Sequence, residues 1–216
     1  MHSKELIEQL ERLVNKTDLE VNSKQINLLA EYVLLLKKWN KAYNLTSIKN
    51  ENDMLIKHIM DSLVVSPFLE GENFIDVGTG PGLPGIPLSI INPNRTFFLL
   101  DSLGKRTRFL NHVKGTLSLK NINIVQSRVE KFIPDIKFDG VLSRAFTSIP
   151  NMLELCNHLV DTQGFFYALK GNIDKEEVSQ IDSSYIVTDI FSLKVPELNA
   201  SRSLVKLKKQ KLLKGV

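Results

Sequence analysis

The chain has 216 residues, 43% hydrophobic and 24% charged, with a formal net charge of +4 at pH 7. That length suits one α/β domain with a modest extension and a full core. The single cysteine, Cys156, excludes an intramolecular disulfide and a cysteine-based metal cluster and fits a reducing cytoplasm, while no apolar run approaches the roughly 20 residues of a membrane helix.

The first third reads as helix. Leu6, Ile7, Leu10, Leu13 and Val14 follow 3.6-residue spacing, and a second stripe runs through Ile26, Leu29, Val33 and Leu36, flanked by Leu28, Tyr32, Leu35 and Trp39. Ser23 is the predicted N-cap of that second helix. A third is expected to start after Asp53, to carry Leu55, Ile56, Ile59, Met60, Leu63 and Val64, and to stop before Pro67. Residues 1–70 therefore form a predicted helical cap beside a main domain at 71–216, the two making one compact unit.

From Asn73 the rhythm alternates. Strands are predicted at 73–77, 96–100, 122–125, 138–142 and 164–169, with helical stretches near 84–91, 104–117, 128–132 and 148–160. This pattern specifies a doubly wound, mostly parallel Rossmann-like sheet. Residues 184–193 and 202–209 lack an intervening crossover helix and are expected to pair as a terminal antiparallel hairpin, the sixth and seventh strands. From Arg202 onward the chain holds six basic residues (Arg202, Lys206, Lys208, Lys209, Lys211 and Lys214) and no acid. Such a stretch serves either a polyanion or a lysine-protected sheet edge.

Chemistry concentrates at the predicted strand ends, where ligands of such sheets sit. After the first strand the chain reads Asp76-Val77-Gly78-Thr79-Gly80-Pro81-Gly82-Leu83-Pro84-Gly85, and the second closes on Asp101. Glycines allow positive φ and close approach to a ligand, and a carboxylate at this place can accept both hydroxyls of a ribose. A dinucleotide fold wants G-x-G-x-x-G with free amides facing a pyrophosphate, whereas Pro81 and Pro84 carry no amide proton. The segment resembles the first motif of S-adenosylmethionine-dependent methyltransferases, and the sheet with its terminal hairpin resembles their seven-stranded class I arrangement.

Beyond that motif, Trp39-Asn40-Lys41-Ala42-Tyr43-Asn44-Leu45-Thr46, His58-Ile59-Met60-Asp61-Ser62, Asp101-Ser102-Leu103-Gly104-Lys105-Arg106, Ser143-Arg144-Ala145-Phe146 and Ala168-Leu169-Lys170-Gly171 resemble one family across nearly the whole chain. It is the bacterial small-subunit ribosomal RNA guanine-N7 methyltransferase family, also called glucose-inhibited division protein B. The resemblance implies cofactor contacts at Gly78, Leu83, Val129, Glu130 and Arg144, and a guanine of small-subunit ribosomal RNA as acceptor, as naked RNA or within the 30S particle. Asp76, Gly80, Gly82 and Asp101 complete the expected cofactor set, and Arg144, just past the fourth strand, is the expected catalytic residue between cofactor and base.

The rest of the sequence suits N7 chemistry. No Asn/Asp-Pro-Pro-aromatic run follows the fourth strand to hold an exocyclic amine, and Cys156 falls on the apolar stripe of Met152, Leu155 and Leu159, the setting of a structural thiol rather than a nucleophile. Guanine N7 carries a lone pair and no proton, so no general base is required. Lys105, Arg106, Arg108, Lys170 and Arg202 are the expected RNA contacts. His58 and Asp61, spaced i, i+3, are expected to touch as a structural pair, and Asn40, Tyr43 and Asn44 to shape the pocket rim or a capping turn. The histidines at 2, 58, 112 and 158 have no metal-ligand spacing, so no metal is expected, and a cytoplasmic monomer is the expected form. The competing readings are a nicotinamide-dependent oxidoreductase, a non-catalytic RNA-binding assembly factor, and a methyltransferase for protein or small molecules.

Overall fold

The computed structural model describes residues 3–210. Seven strands, β1 (Asn73–Val77), β2 (Thr96–Asp101), β3 (Ile122–Gln126), β4 (Gly140–Arg144), β5 (Phe165–Lys170), β6 (Tyr185–Ser192) and β7 (Ser203–Lys209), form one sheet in the order β3-β2-β1-β4-β5-β7-β6. Strands β1 to β5 pair in parallel, and β7 lies antiparallel to both β5 and β6. The chain winds outward from β1 to β3, then returns to β4 on the other side of β1. That reversal opens a crevice at the carboxyl ends of β1 and β4, the place where such sheets bind ligands.

The predicted hairpin forms, but its basic strand is not the edge. β7 sits between β5 and β6 because Leu204, Val205 and Leu207 are all buried, a pattern that needs cover on both faces. β6 takes the edge, with Ile186 and Ile190 exposed and a register irregularity between Val187 and Asp189. The lysine-protected edge strand is thus corrected, and two of the three lysines of β7 are used inside the fold, Lys208 being exposed. Lys206, only 5% exposed, pairs with Glu70 and lies 4.1 Å from the centroid of the Phe165 ring. Lys209 donates to the Val160 carbonyl at 2.9 Å. Lys211 and Lys214 lie outside the described residues.

The first helix spans Ser3–Val14 and the second Ser23–Tyr43. The N-cap of the second is Asn22 rather than Ser23, because Gln25 completes a reciprocal box with it: Asn22 Oδ1 accepts from the Gln25 amide at 3.0 Å and Gln25 Oε1 from the Asn22 amide at 2.9 Å. The third helical run begins earlier than expected, at Glu51, because Asn50 caps the Asp53 amide at 2.7 Å. It passes through a π turn over Leu55–Met60 before Asp61–Leu63. π turns widen a helix locally and often mark functional sites.

Between the strands lie helices Gly85–Ile91, Gly104–Thr116 and Ile149–Cys156. Two expectations shift. The stretch at 128–132 is only a single 3-10 turn, Val129–Lys131. β4 runs to Arg144, two residues beyond the expected end, because Phe138 bonds back to the Leu159 carbonyl and Asp139 caps the Glu72 and Asn73 amides, so the assigned ladder starts at Gly140. Ser143 and Arg144 therefore belong to the strand, paired with Ala168 and Leu169.

Apolar packing covers both sheet faces. One cluster joins the amino-terminal helices to the sheet through residues such as Leu6, Leu36, Met60, Phe97 and Leu204, and the other gathers Ile75, Val141, Cys156 and Phe166. Cys156 is fully buried there, and burial pushes its thiol up to about 12. Among the described residues no helix is long and apolar enough to cross a membrane.

Candidate active site

The glycine-rich turn is built by its own amides. Gly78 and Thr79 both donate to the Leu100 carbonyl, at 2.9 and 3.1 Å, and Gly82 and Leu83 both donate to the Thr79 carbonyl at 2.9 Å. Gly80 donates to Asp101 Oδ2 at 3.0 Å, Gly85 to Asp76 Oδ2 at 2.8 Å and Ile86 to the Gly82 carbonyl at 2.7 Å. Since Pro81 and Pro84 have no amide proton, every N–H from Gly78 to Ile86 is committed within the protein. Gly78 and Gly80 take left-handed φ values of 68° and 62°, which lets this turn close without side-chain strain. From the helical side, Tyr32 donates its hydroxyl to the Pro81 carbonyl at 2.8 Å, and complete burial raises the pKa of that hydroxyl, which keeps it a donor.

Asp76 and Gly82 stand behind this turn. Asp76 Oδ2 also accepts from Thr79 Oγ1 at 2.6 Å, and its Oδ1 is buried without a partner. Burial pushes the carboxyl up to about 6 against the lowering effect of Thr79 and Gly85. A Cβ on Gly82 would fall 2.4 Å from Ile86 Cγ1 and 2.8 Å from Leu110 Cδ2, so this position serves helix packing.

In front of the turn lies a cavity of about 550 Å³, within the range of small-ligand sites. Gly78, Gly80 and Leu83 line one end, Asp101 and Arg106 the β2 side, Val129 and Glu130 the β3 side, and Arg144 the β4 side. Phe146 backs the turn so closely that a Cβ on Gly78 would lie 2.6 Å from its ring. Asp101 is 2% exposed; Oδ1 accepts from the Leu103 amide at 2.9 Å, and Oδ2 from Gly80 and from Arg106 Nη1, each at 3.0 Å.

A second cavity, of about 430 Å³, shares Arg144 and Ala145 with the first and is otherwise lined by groups such as Lys57, His58, Asp61, Lys170 and Arg202. At its centre Asp61 joins two arginines: Oδ2 accepts from Arg144 Nη1 at 3.1 Å and Oδ1 from Arg202 Nε at 2.6 Å. The expected His58–Asp61 contact is replaced. Because the Lys57 carbonyl can only accept, His58 Nδ1 carries the proton that meets it at 3.1 Å, and Nε2 accepts from Thr46 Oγ1 at 2.8 Å. Burial, with the nearby Arg144 charge, lowers the imidazole to about 4, so it is neutral at pH 7.

The expected RNA contacts divide. Arg106 faces the first cavity and pairs with Asp101, while Arg202 and Lys170 face the second. Lys170 is held by Glu177 at 2.6 Å and by the Thr147 carbonyl at 3.2 Å. Lys105 and Arg108 line neither cavity; Lys105 donates to the Tyr43 carbonyl and Arg108 Nε to the Gly104 carbonyl, at 3.0 and 3.2 Å. Asn40 folds the following loop through the Thr46 amide and the Ile48 carbonyl, at 2.9 and 3.1 Å; Asn44 is the left-handed helix cap and Tyr43 stacks on Trp39.

Sequence reasoning missed the central role of Asp61. A signal existed: it is the acid on a buried helix face of Leu55, Ile56, Ile59, Met60 and Leu63, and a buried carboxylate requires partners.

Comparison with known proteins agrees with this architecture. A solved structure described as a SAM-dependent methyltransferase from Aquifex aeolicus superposes with a TM-score of 0.56 over 72% of this chain and 93% of that one, at 18% identity, a likeness of fold. The chain is 58% identical to the ribosomal RNA small subunit methyltransferase G of Vibrio vulnificus over 206 residues, covering 95% of this chain and 98% of the relative. It is 55% identical to the protein of the same name from Actinobacillus succinogenes over 203 residues, covering 94% and 96%. The profile of the family described as rRNA small subunit methyltransferase G matches residues 25–205. With a committed glycine turn, a carboxylate at the end of β2 and that match across most of its length, the chain belongs to the rRNA small subunit methyltransferase G family.

Proposed function

We propose that this protein transfers a methyl group from S-adenosylmethionine to N7 of a guanine in small-subunit ribosomal RNA, acting in the cytoplasm. The observation that carries the cofactor choice is the glycine turn. With every amide from Gly78 to Ile86 engaged or absent, nothing is left to cradle a pyrophosphate, while Asp101 stands where a ribose would be held. A cofactor with a nucleoside and no phosphate fits, and a nicotinamide dinucleotide does not.

In this reading Asp101 holds the ribose, and Gly78, Gly80 and Leu83 wrap the amino-acid portion. Val129 and Glu130 frame the adenine, with Asp76 and Gly82 supporting the turn from behind. When bound, S-adenosylmethionine supplies an electrophilic methyl on sulfur. The guanine enters from the second cavity, and Arg144, common to both, orients base against cofactor. Its guanidinium is fixed by Asp61 and by the Lys57 carbonyl, at 3.1 and 3.2 Å, so its orientation is set before substrate arrives. Guanine N7 has no proton to lose, so no general base is called for, and His58, which lines the second cavity with Arg144, is neutral with both ring nitrogens engaged. Catalysis then rests on positioning and on electrostatic compensation as positive charge moves from sulfur to the purine. Lys170 and Arg202, which line the second cavity, and Lys105 and Arg108, outside both cavities on the helix that starts at Gly104, contact RNA phosphates, in naked RNA or in the 30S particle.

The test is incubation with methyl-labelled S-adenosylmethionine and small subunits from cells lacking this activity, followed by nucleoside analysis. Label is expected in 7-methylguanosine, and to disappear with Asp101→Ala or Arg144→Ala. Label in any other nucleoside would overturn the N7 assignment.

A further inference from the structure

The contacts of Asp101 do not leave it ready for a ribose. Each carboxylate oxygen offers two lone pairs. On Oδ2 both are engaged, one by the Gly80 amide and one by Arg106 Nη1, each at 3.0 Å, whereas Oδ1 holds only the Leu103 amide at 2.9 Å. A vicinal diol that donates to both oxygens needs one free lone pair on each. Gly80 is fixed by the turn, so the group that must leave Oδ2 is Arg106.

Arg106 is placed to leave. Its side chain is 34% exposed, and its buried Nε has no partner, so the guanidinium is only partly satisfied where it stands. It lies in the first turn of helix Gly104–Thr116, which has no acidic residue, no side-chain N-cap and a second cation, Lys105. A cation there opposes the helix dipole, and Asp101 is what offsets it. Released from Asp101, Arg106 becomes an uncompensated cation in the cavity lining, which also holds the exposed Arg128. The acid that also lines this cavity is Glu130; a polyanionic substrate is the stronger counterion, since Arg binds phosphate with paired donors.

We infer that Arg106 is a positioning residue shared by the two substrates: Asp101 holds it until a ribose diol takes Oδ2, and the freed guanidinium then pairs with an RNA phosphate. This rests on the cofactor reading of the cavity given above. Cofactor and RNA thereby favour each other's binding, and by linkage the effect is equal in both directions.

The experiment measures S-adenosylhomocysteine binding by calorimetry, in wild type and in Arg106→Met, which keeps the apolar stem and removes the donors. Without RNA, the variant should bind S-adenosylhomocysteine about two- to five-fold more tightly, the range set by a partly exposed ion pair. Saturating S-adenosylhomocysteine should tighten wild-type binding to small-subunit ribosomal RNA by a similar factor and leave the variant's RNA affinity unchanged. Equal or weaker S-adenosylhomocysteine binding by Arg106→Met overturns the inference, as does wild-type RNA affinity indifferent to S-adenosylhomocysteine, the result expected if Arg106 moves to Glu130 instead. Failure of wild type to bind S-adenosylhomocysteine at all overturns the cofactor reading itself, a result distinct from either.

Discussion

The two cavities meet at Arg144 yet are made in different ways. The first is shaped by consecutive backbone: the turn from Gly78 to Ile86 satisfies itself, and Asp101 ties it to the neighbouring strand through the Gly80 amide. The second is held by side chains that meet only in three dimensions. Asp61 lies 83 positions from Arg144 and 141 from Arg202. A site of the first kind fails through backbone conformation, and one of the second through charge.

The largest expected effect lies under the first cavity. Gly82 has φ of 101°, and a Cβ there would meet Ile86 and Leu110 at 2.4 and 2.8 Å. Gly82→Ala combines backbone strain with overpacking and should cost about 3 kcal/mol in denaturant unfolding. Gly80→Ala is the control. Its φ is 62°, and its nearest neighbour to a new Cβ is the Gly78 carbonyl at 4.0 Å, so only the left-handed conformation opposes it, at about 1 kcal/mol. Equal losses at the two positions would show that packing behind the turn is not what fixes it.

In the second cavity the corresponding break is Asp61→Ala, which leaves the Arg144 and Arg202 guanidinia facing each other without an acid. Asp61 is 8% exposed against 18% and 27% for its partners, so the loss should approach, without exceeding, the range for a broken buried pair, about 3 kcal/mol. Arg202→Met in the same background should recover part of it by removing the repulsion. Additive losses in the double variant would separate the two arginines energetically.

Asp101→Ala compares ligand binding with folding. Loss of a carboxylate that accepts two ribose hydroxyls should weaken S-adenosylhomocysteine by about 30-fold, or about 2 kcal/mol. Calorimetry checks it, and unchanged affinity would remove Asp101 from the site.

The same contrast explains what could be read before folding. Strands β1 to β5 announce themselves as short apolar runs between turn residues, and Gly78, Gly80, Gly82 and Asp101 fall within one strand-turn-helix-strand stretch, so the first cavity is written locally. Arg202 looked like one cation of a basic tail. Nothing near it in sequence says that it faces Asp61, because that contact depends on β7 entering the sheet between β5 and β6. The π turn over Leu55–Met60 was hidden for a related reason: an apolar stripe reports a buried helix face without fixing each hydrogen-bond register. Lys206 shows the same limit, since its burial against Phe165 and Glu70 depends on those distant partners.

The smallest net effect on wild-type stability comes from two opposing titrations, one in each region. His58, in the second cavity, is lowered from 6.5 to about 4 by burial. Above pH 6.5 it is neutral whether folded or not. As pH falls from there the unfolded chain takes up a proton that the native state refuses, so stability declines until about pH 4. Asp76, behind the first cavity, is raised from 3.8 to about 6. Its contribution is complete below 3.8 and is lost as pH rises through 6, because the unfolded carboxyl ionises first. Between about pH 4 and 6 the two slopes oppose each other. His58→Gln retains an acceptor for Thr46 and removes the titration, so its stability relative to wild type should improve steadily from pH 6.5 down to 4. Asp76→Asn should lose ground relative to wild type over the same descent, since wild type there regains what ionisation had cost it. Denaturant midpoints at pH 4, 5 and 6 for the three proteins suffice, and parallel curves for His58→Gln and wild type would mean that the imidazole titrates as it does in water and that the second cavity is open enough to solvate it.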